Sequence, residues 1–228
     1  MTEAALREKV VAQARSWLGR NEADGSHKEI IDIYNTIRPL PRGYKLTYKD
    51  KWCAGNVSAV AQACELTEII FPECSCSRMI ALFQKAGRWM ENDAYVPSPA
   101  DILFYGWADS GKGDYTGAPD HVGIVESCDG KTITVIEGNY CDSVKRREIA
   151  VNARYIRGFG LPDYAGMAAS LGFPDVDPDA YFADAVDCVS ANGIMQGFPD
   201  GTFHPEEPVN RGQLAVVVQR LIQKFGID

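Results

Sequence analysis

The sequence predicts an α+β protein in which N-terminal helices pack on an antiparallel sheet and a small helical module follows. Three observations carry that prediction. Helical periodicity runs as far as Gly87, short apolar runs replace it after Pro99, and the acidic excess is confined to the last third of the chain.

Taken in order, Met1 to Leu18 reads as a charged amphipathic helix without the apolar h-region of a signal peptide. Ser26 opens "SHKE", a capping box with Glu29 ahead of the periodic run Ile30, Ile31, Ile33, Tyr34 and Ile37, and Pro39 and Pro41 stop it. Val57, Val60, Ala61 and Cys64 fall at i, i+3, i+4 and i+7, so a helix follows directly on "KWC". A further helical stretch, Arg78 to Gly87, comes after a turn bearing Cys74 and Cys76. Strands are expected at Ile102 to Trp107, Val122 to Val125, Ile133 to Ile136 and Tyr155 to Phe159. The segment "GLPDYAGMAASLG" has turn residues at both ends, which divides the chain into residues 1–161, a linker at 162–172, and residues 173–228. In the last unit Phe182, Ala185, Val186 and Val189 make one helical face, closed at Gly193. Leu214, Val217, Val218 and Leu221 make another, with Asn210 as N-cap, and "FPDGTF" is the turn between them. Such a unit has little core and is expected to dock on something.

The 228 residues, 46% of them hydrophobic and 24% charged, have ordinary globular composition and room for a core without disulfide staples. Seven cysteines is an odd number and too few for a stapled mini-protein. Residues 1–161 carry 21 acidic and 20 basic side chains, whereas 162–228 carry 10 and 3, so −7 of the net −8 lies in the last unit. That balance argues against a nucleic-acid partner. No apolar stretch reaches the ~20 residues a bilayer requires, so no membrane span is predicted.

Cys53 stands at the first turn of a predicted helix, where unpaired N–H groups and the positive dipole end favour thiolate. A thiolate attacks a carbonyl carbon when an imidazole is near to pair with it and protonate the leaving amine. Of His27, His121 and His204, only His121 begins a strand, in "DHVGIVES". A three-residue loop of Cys128, Asp129 and Gly130 would pair Ser127 with Lys131, so that partners sum to 258 and His121 faces Glu137, with Asn139 diagonal on the same face. A carboxylate there would hold the imidazole tautomer and stabilise imidazolium. His27 and His204 are expected in solvated turns, and Cys64 and Cys188 on helix core faces. Cys74 and Cys76 match no standard zinc spacing with Cys64 or Cys128, and no metal or cofactor is predicted. A Cys128–Cys141 disulfide near the hairpin is a reading no stronger than zinc binding. Trp52, Trp107 and Tyr140 either line a sugar-binding cleft or belong to the core.

In that order "WCAGNVSAVAQAC", "DILFYGW", "HVGIVES" and "TVIEGN" resemble the CHAP domain, a papain-like amidohydrolase and peptidase fold that cuts bacterial peptidoglycan, over roughly Glu3 to Leu161. The resemblance implies Cys53 as nucleophile, His121 as base, and Glu137 with Asn139 as the groups that orient it. The Asp-rich calcium stretch of some relatives is missing from "YKLTYKDKWC", so calcium is not predicted. Phe173 to about Lys224 resembles one S-layer homology repeat, through "FPDV", "GIMQGFPDGTFHP" and the arginine opening the second helix. That resemblance implies binding of secondary cell-wall polysaccharide through Arg211, although the usual Thr-Arg-Ala-Glu reads "NRGQ" here. Members often carry three repeats in a three-fold bundle. With one, the chain either forms a homotrimer through the module or packs differently.

The reading is therefore a two-part peptidoglycan hydrolase, a thiol amidase or endopeptidase targeted to the wall, of endolysin or autolysin type. A lone export-signal-free helix suits release through a membrane hole made by another protein, holin fashion, with ordinary secretion open if Met1 is not the natural start. The rival readings are a non-catalytic wall-binding structural protein and a cytoplasmic thiol protease.

Overall fold

The structure is a computed structural model and describes residues 3–226. Met1 and Thr2 of the expected first helix, and the last two residues of the expected module, lie outside the described residues. Two compact units form, one of Arg7–Asp163 and one of residues 3–6 with 164–226.

In the larger unit the helices are α1 (Glu3–Ser16, shared with the other unit), α2 (Lys28–Tyr34), α3 (Cys53–Ala63) and α4 (Cys76–Lys85). The strands are β1 (Trp89–Met90), β2 (Ile102–Tyr105), β3 (His121–Cys128), β4 (Thr132–Glu137), β5 (Lys145–Ala150) and β6 (Ile156–Gly160). They form one antiparallel sheet in the order β1-β6-β2-β3-β4-β5. At β2 both faces are buried, which is why the run "ILFY" is apolar throughout instead of alternating, whereas the edge strand β5 is largely exposed. On one face Leu103, Tyr105, Val125, Val135, Ile156 and Phe159 make a core cluster. On the other, Phe104 meets Phe83 of α4 and Trp89 edge-to-face, at ring separations of 6.4 and 5.5 Å. Helix α3 packs on β3 and α2 on α3, so the N-terminus of α3 is fixed beside the start of β3.

Several local readings change. Ser26 does not cap α2: its Oγ turns back to Asp24 and Asn21, the N-cap is His27, and no side chain caps it. His27 is buried, not solvated, because its two ring nitrogens bridge the carbonyls of Asn21 and Tyr48 at 3.2 and 3.1 Å and its ring lies against Trp52. Strand β5 was not foreseen, since "KRREIA" lacks apolar alternation. Arg146 instead answers Glu126 on β3, across the intervening strand, and Arg147 answers Glu137 on the neighbouring β4. All seven cysteines are free, Cys128 and Cys141 included, and Cys188 is exposed instead of core.

The register is a further correction. Asp129 N–H donates to Thr132 O, so β3 and β4 are joined by a two-residue loop of Gly130 and Lys131, with Gly130 at φ 88°. That loop gives Cys128↔Ile133, whose numbers sum to 261, an odd register that would put His121 and Glu137 on opposite faces. A β-bulge at Glu126 adds one residue and restores an even register, Val125↔Val135 and Ile124↔Ile136, with sum 260. His121 and Glu137 thus share a face diagonally, two residues from the directly opposed pairing expected.

In the smaller unit, α5 (Tyr164–Leu171) occupies the stretch expected as linker, followed by α6 (Ala183–Ala191) and α7 (Arg211–Phe225). Asn210 caps α7 in a capping box with Gln213. The Asp175 carboxylate accepts the N–H groups of Phe203 and His204 at 2.9 and 2.7 Å, tying "FPD" to the turn, where Phe198 N–H closes on Thr202 O. Ala183, Val186 and Ile194 are buried, but Leu214 and Val218, expected on a core face, are 55% and 44% exposed.

Candidate active site

Cys53 is the first residue of α3 and keeps 8% exposure as a residue. His121, the first residue of β3, meets that thiol and binds Glu137 Oε2 through Nε2 at 3.0 Å. The ring nitrogen away from Glu137 is therefore the one facing sulfur. Glu137 leans toward His121 because Gly123 leaves the space: a Cβ on Gly123 would lie 2.8 Å from Glu137 Cγ. Gly138 lets the next turn close on α3, where a Cβ would lie 2.4 Å from the Asn56 Cβ.

Glu137 is fully buried and four donors satisfy it: His121, the Tyr105 hydroxyl at 2.5 Å, and the Arg147 fork at 2.7 and 3.1 Å. Burial alone would raise this carboxyl, but the bonds from His121 and Arg147 hold it below the usual range. For His121, burial lowers the pKa, and the bonds to Cys53 and Glu137 more than offset it, leaving the ring raised to about 9. The Cys53 thiol is lowered well below its ordinary value, chiefly by a hydrogen bond from Cys76, whose Sγ lies 3.8 Å away, with burial opposing and His121 assisting. Both shifts favour the thiolate–imidazolium form of the pair, with Glu137 and Arg147 as a second pair behind it.

The imidazole is wedged in place. Trp107 stacks near His121 and Tyr105 at 6.2 and 5.2 Å, its backbone N–H donating to the Asp120 carboxylate at 2.6 Å, and Arg147 lies 4.0 Å over the Tyr140 ring. Trp107 is half exposed, whereas Trp52 is fully buried. Asn139, at φ 58°, points its amide to Glu22 at 3.1 Å instead of to the ring, and Glu22 also takes the Trp52 indole N–H at 2.9 Å. The structure therefore brings Cys53, His121 and Glu137 together and sets Asn139 in an adjoining network. Sequence reasoning missed Arg147, Tyr105, Glu22 and Cys76. "DILFYGW" contained a signal for Tyr105, since its hydroxyl is buried in an apolar strand and needs a partner.

In the smaller unit Arg211 is exposed at the start of α7, beside Leu214, Ala215 and Val218. A separate cavity of about 410 Å³ is lined by Phe198, Phe203, His204, Gln213, Val217 and Arg220, with Arg220 also holding Ile194 O at 3.0 Å. Arg211 does not line it. Among the described residues no cluster of three or more ligating side chains is disposed to hold a metal, and no helix is long and apolar enough to cross a membrane.

A thiolate paired with imidazolium, backed by a buried carboxylate on an antiparallel sheet, is the arrangement of a thiol-dependent acyl-transfer centre. Comparison with known families finds a match to the CHAP domain over residues 43–139, followed by a match to the S-layer homology domain over residues 172–215. Among known proteins it is similar to outer membrane protein SlpA of Thermus thermophilus, 39% identical over 68 residues, 30% of this chain and 6% of that protein. It is also similar to a cellulosome-anchoring protein of Acetivibrio thermocellus, 29% identical over 85 residues, 37% and 19% of the two chains. Cell surface glycoprotein 1 of the same organism is 27% identical over 82 residues, 36% of this chain and 4% of that one. The chain thus spans less than a fifth of the length of these relatives. No solved structure matches it. A CHAP domain suggests peptidoglycan hydrolysis and an S-layer homology domain suggests anchoring at the cell wall.

Proposed function

We propose that the chain is a peptidoglycan hydrolase held at the bacterial cell wall by its C-terminal unit, and that it cleaves an amide of the stem peptide or its link to muramic acid. The single observation that carries this is the Cys53–His121–Glu137 line, with its nucleophile at a helix start. The Cys53 thiolate attacks the amide carbonyl carbon, and the oxyanion is met by the Cys53 backbone N–H at the open end of α3. His121 gives its proton to the leaving amine, leaving a thioester. It then takes a proton from water as the hydroxide attacks, and the acyl group departs as carboxylate. Glu137 positions the ring. Asn139 acts one step further back, through Glu22 on Trp52, the residue before the nucleophile.

Wall binding is assigned to the acidic C-terminal unit, with Arg211 as the cation for an anionic secondary polysaccharide. Similarity to a cellulosome-anchoring protein supports a surface location. Leu214, Val218 and Ile222 fall at i, i+4 and i+8 on one exposed face of α7, which supports assembly of three copies through that helix. Sedimentation velocity at micromolar concentration reads a trimer if so and a monomer if not.

The test of the whole reading is clearing of a purified wall suspension, followed by mass spectrometry of the released muropeptides. New free amino groups with intact glycan strands are expected, and cut glycan strands would overturn it. Pelleting of the protein with walls should fall on Arg211→Ala if that residue binds.

A further inference from the structure

Hydrolysis as described gives Cys76 no chemical step, yet its sulfur lies 3.8 Å from that of the nucleophile. Two features place it there. Cys76 is the first residue of α4 as Cys53 is of α3, so two helix N-termini converge on one sulfur pair. The buried Ser58 hydroxyl bridges Ala54 O of α3 and the backbone of Glu73, at 2.9, 2.7 and 2.8 Å, clamping the segment that leads into Cys76. Cys74 faces elsewhere, taking an Arg42 N–H at 3.1 Å. Cys64, at the far end of α3, donates to Lys9 O.

We propose that Cys53 and Cys76 form a peroxide-responsive dithiol site, in which oxidation of the nucleophile closes a reversible Cys53–Cys76 disulfide that stops hydrolysis and spares Cys53 from further oxidation. As regulation, this rests on Cys53 being the hydrolytic nucleophile. As chemistry, it rests on the sulfur pair alone. The Cys53 thiolate attacks one peroxide oxygen, the O–O bond breaks, and the expelled hydroxide takes the imidazolium proton, giving sulfenic acid and water. Cys76 sulfur then attacks Cys53 sulfur and expels hydroxide, which leaves as water with the Cys76 thiol proton. In total two thiols and one hydrogen peroxide give one disulfide and two waters. An S–S bond is about 2.05 Å, so the sulfurs must approach by about 1.8 Å from the observed 3.8 Å, a movement within reach of two short side chains. Residue Cys53 keeps 8% exposure and Cys76 is half-buried, so the pair is within reach of a small oxidant, and a reducing thiol that attacks the Cys76 sulfur releases Cys53 as the better leaving group.

The test treats the whole protein with a few equivalents of hydrogen peroxide, alkylates the remaining thiols, and digests with trypsin and a glutamyl-specific protease. Cleavage after Glu65 and Glu73 separates Trp52–Glu65, with Cys53 and Cys64, from Cys74–Arg78, with Cys74 and Cys76. These two peptides should appear linked, fragmentation should assign the bond to Cys53 and Cys76, and dithiothreitol should restore both thiols and wall clearing. Cys76→Ser should give no link, Cys53 sulfinic acid, and a loss that dithiothreitol does not reverse. Sulfinic Cys53 beside alkylated Cys76 in the unmodified chain, or a bond from Cys53 to any other cysteine, would overturn the proposal. Link formation in a protein that never clears walls would sink the hydrolase reading and leave the dithiol site standing.

Discussion

The two units hold themselves together by different means. In the larger one the sheet is buried on both faces at β2, and even its charged groups are committed: Glu137 to Arg147, Tyr105 and His121, and Glu126 to Arg15 and Arg146. In the smaller one Ala183, Val186 and Ile194 are buried, while α7 leaves Leu214, Val218 and Ile222 open and local polar ties do much of the holding. The contrast fits the proposed division of work: placing reactive atoms within tenths of an ångström takes packing on every side, whereas a surface that is to meet a polymer or another copy must stay uncovered.

Breaking the larger unit's chemistry should leave the smaller one's untouched. Cys53→Ala should cut wall clearing by about 10⁴-fold or more, with pelleting on walls unchanged. If pelleting falls with it, the units do not divide the work. Arg147→Ala leaves Glu137 without its neutralising partner, and should lower the clearing rate about 10- to 100-fold and destabilise the larger unit by about 1–3 kcal/mol in denaturant melts. Arg147→Lys should recover part of each by restoring the charge.

The pH profile sharpens the contrast further. The folded pKa of His121 is raised to about 9 from 6.5, so the stability its proton brings is full below 6.5 and is lost as pH rises through 9. Clearing should fall on the same alkaline limb, and Glu137→Gln should shift that limb to lower pH, because the carboxylate that holds the proton is gone. A limb that stays put would remove Glu137 from its role. The smallest effect belongs to the smaller unit. Asn210→Ala removes the α7 cap at a cost of about 1 kcal/mol, lowering that unit's melting point by about 5 °C without changing the hydrolytic rate.

Helical periodicity and apolar runs located four helices of the larger unit and four strands because each buries its own apolar residues. Strand β5 was hidden for the opposite reason: its residues 145–147 are all basic, and what makes them a strand is two acidic neighbours, one 10 and one 20 residues back in sequence. Cys53 and His121 were legible because a thiol ahead of a helix and a histidine opening a strand are local patterns. Glu137 was reached by a parity argument whose loop was wrong and whose parity a bulge restored. Glu22, 117 residues from Asn139, and Cys76, paired by Ser58 across α3, depend on contacts that local spacing does not encode.

Chain length matters in this hairpin in an unusual way. Turns normally absorb an added or missing residue at small cost, yet here the single extra position at Glu126 decides on which side of the sheet everything between it and His121 projects. Its deletion would swing the imidazole to the opposite surface, severing base from nucleophile while every residue of the triad was still present.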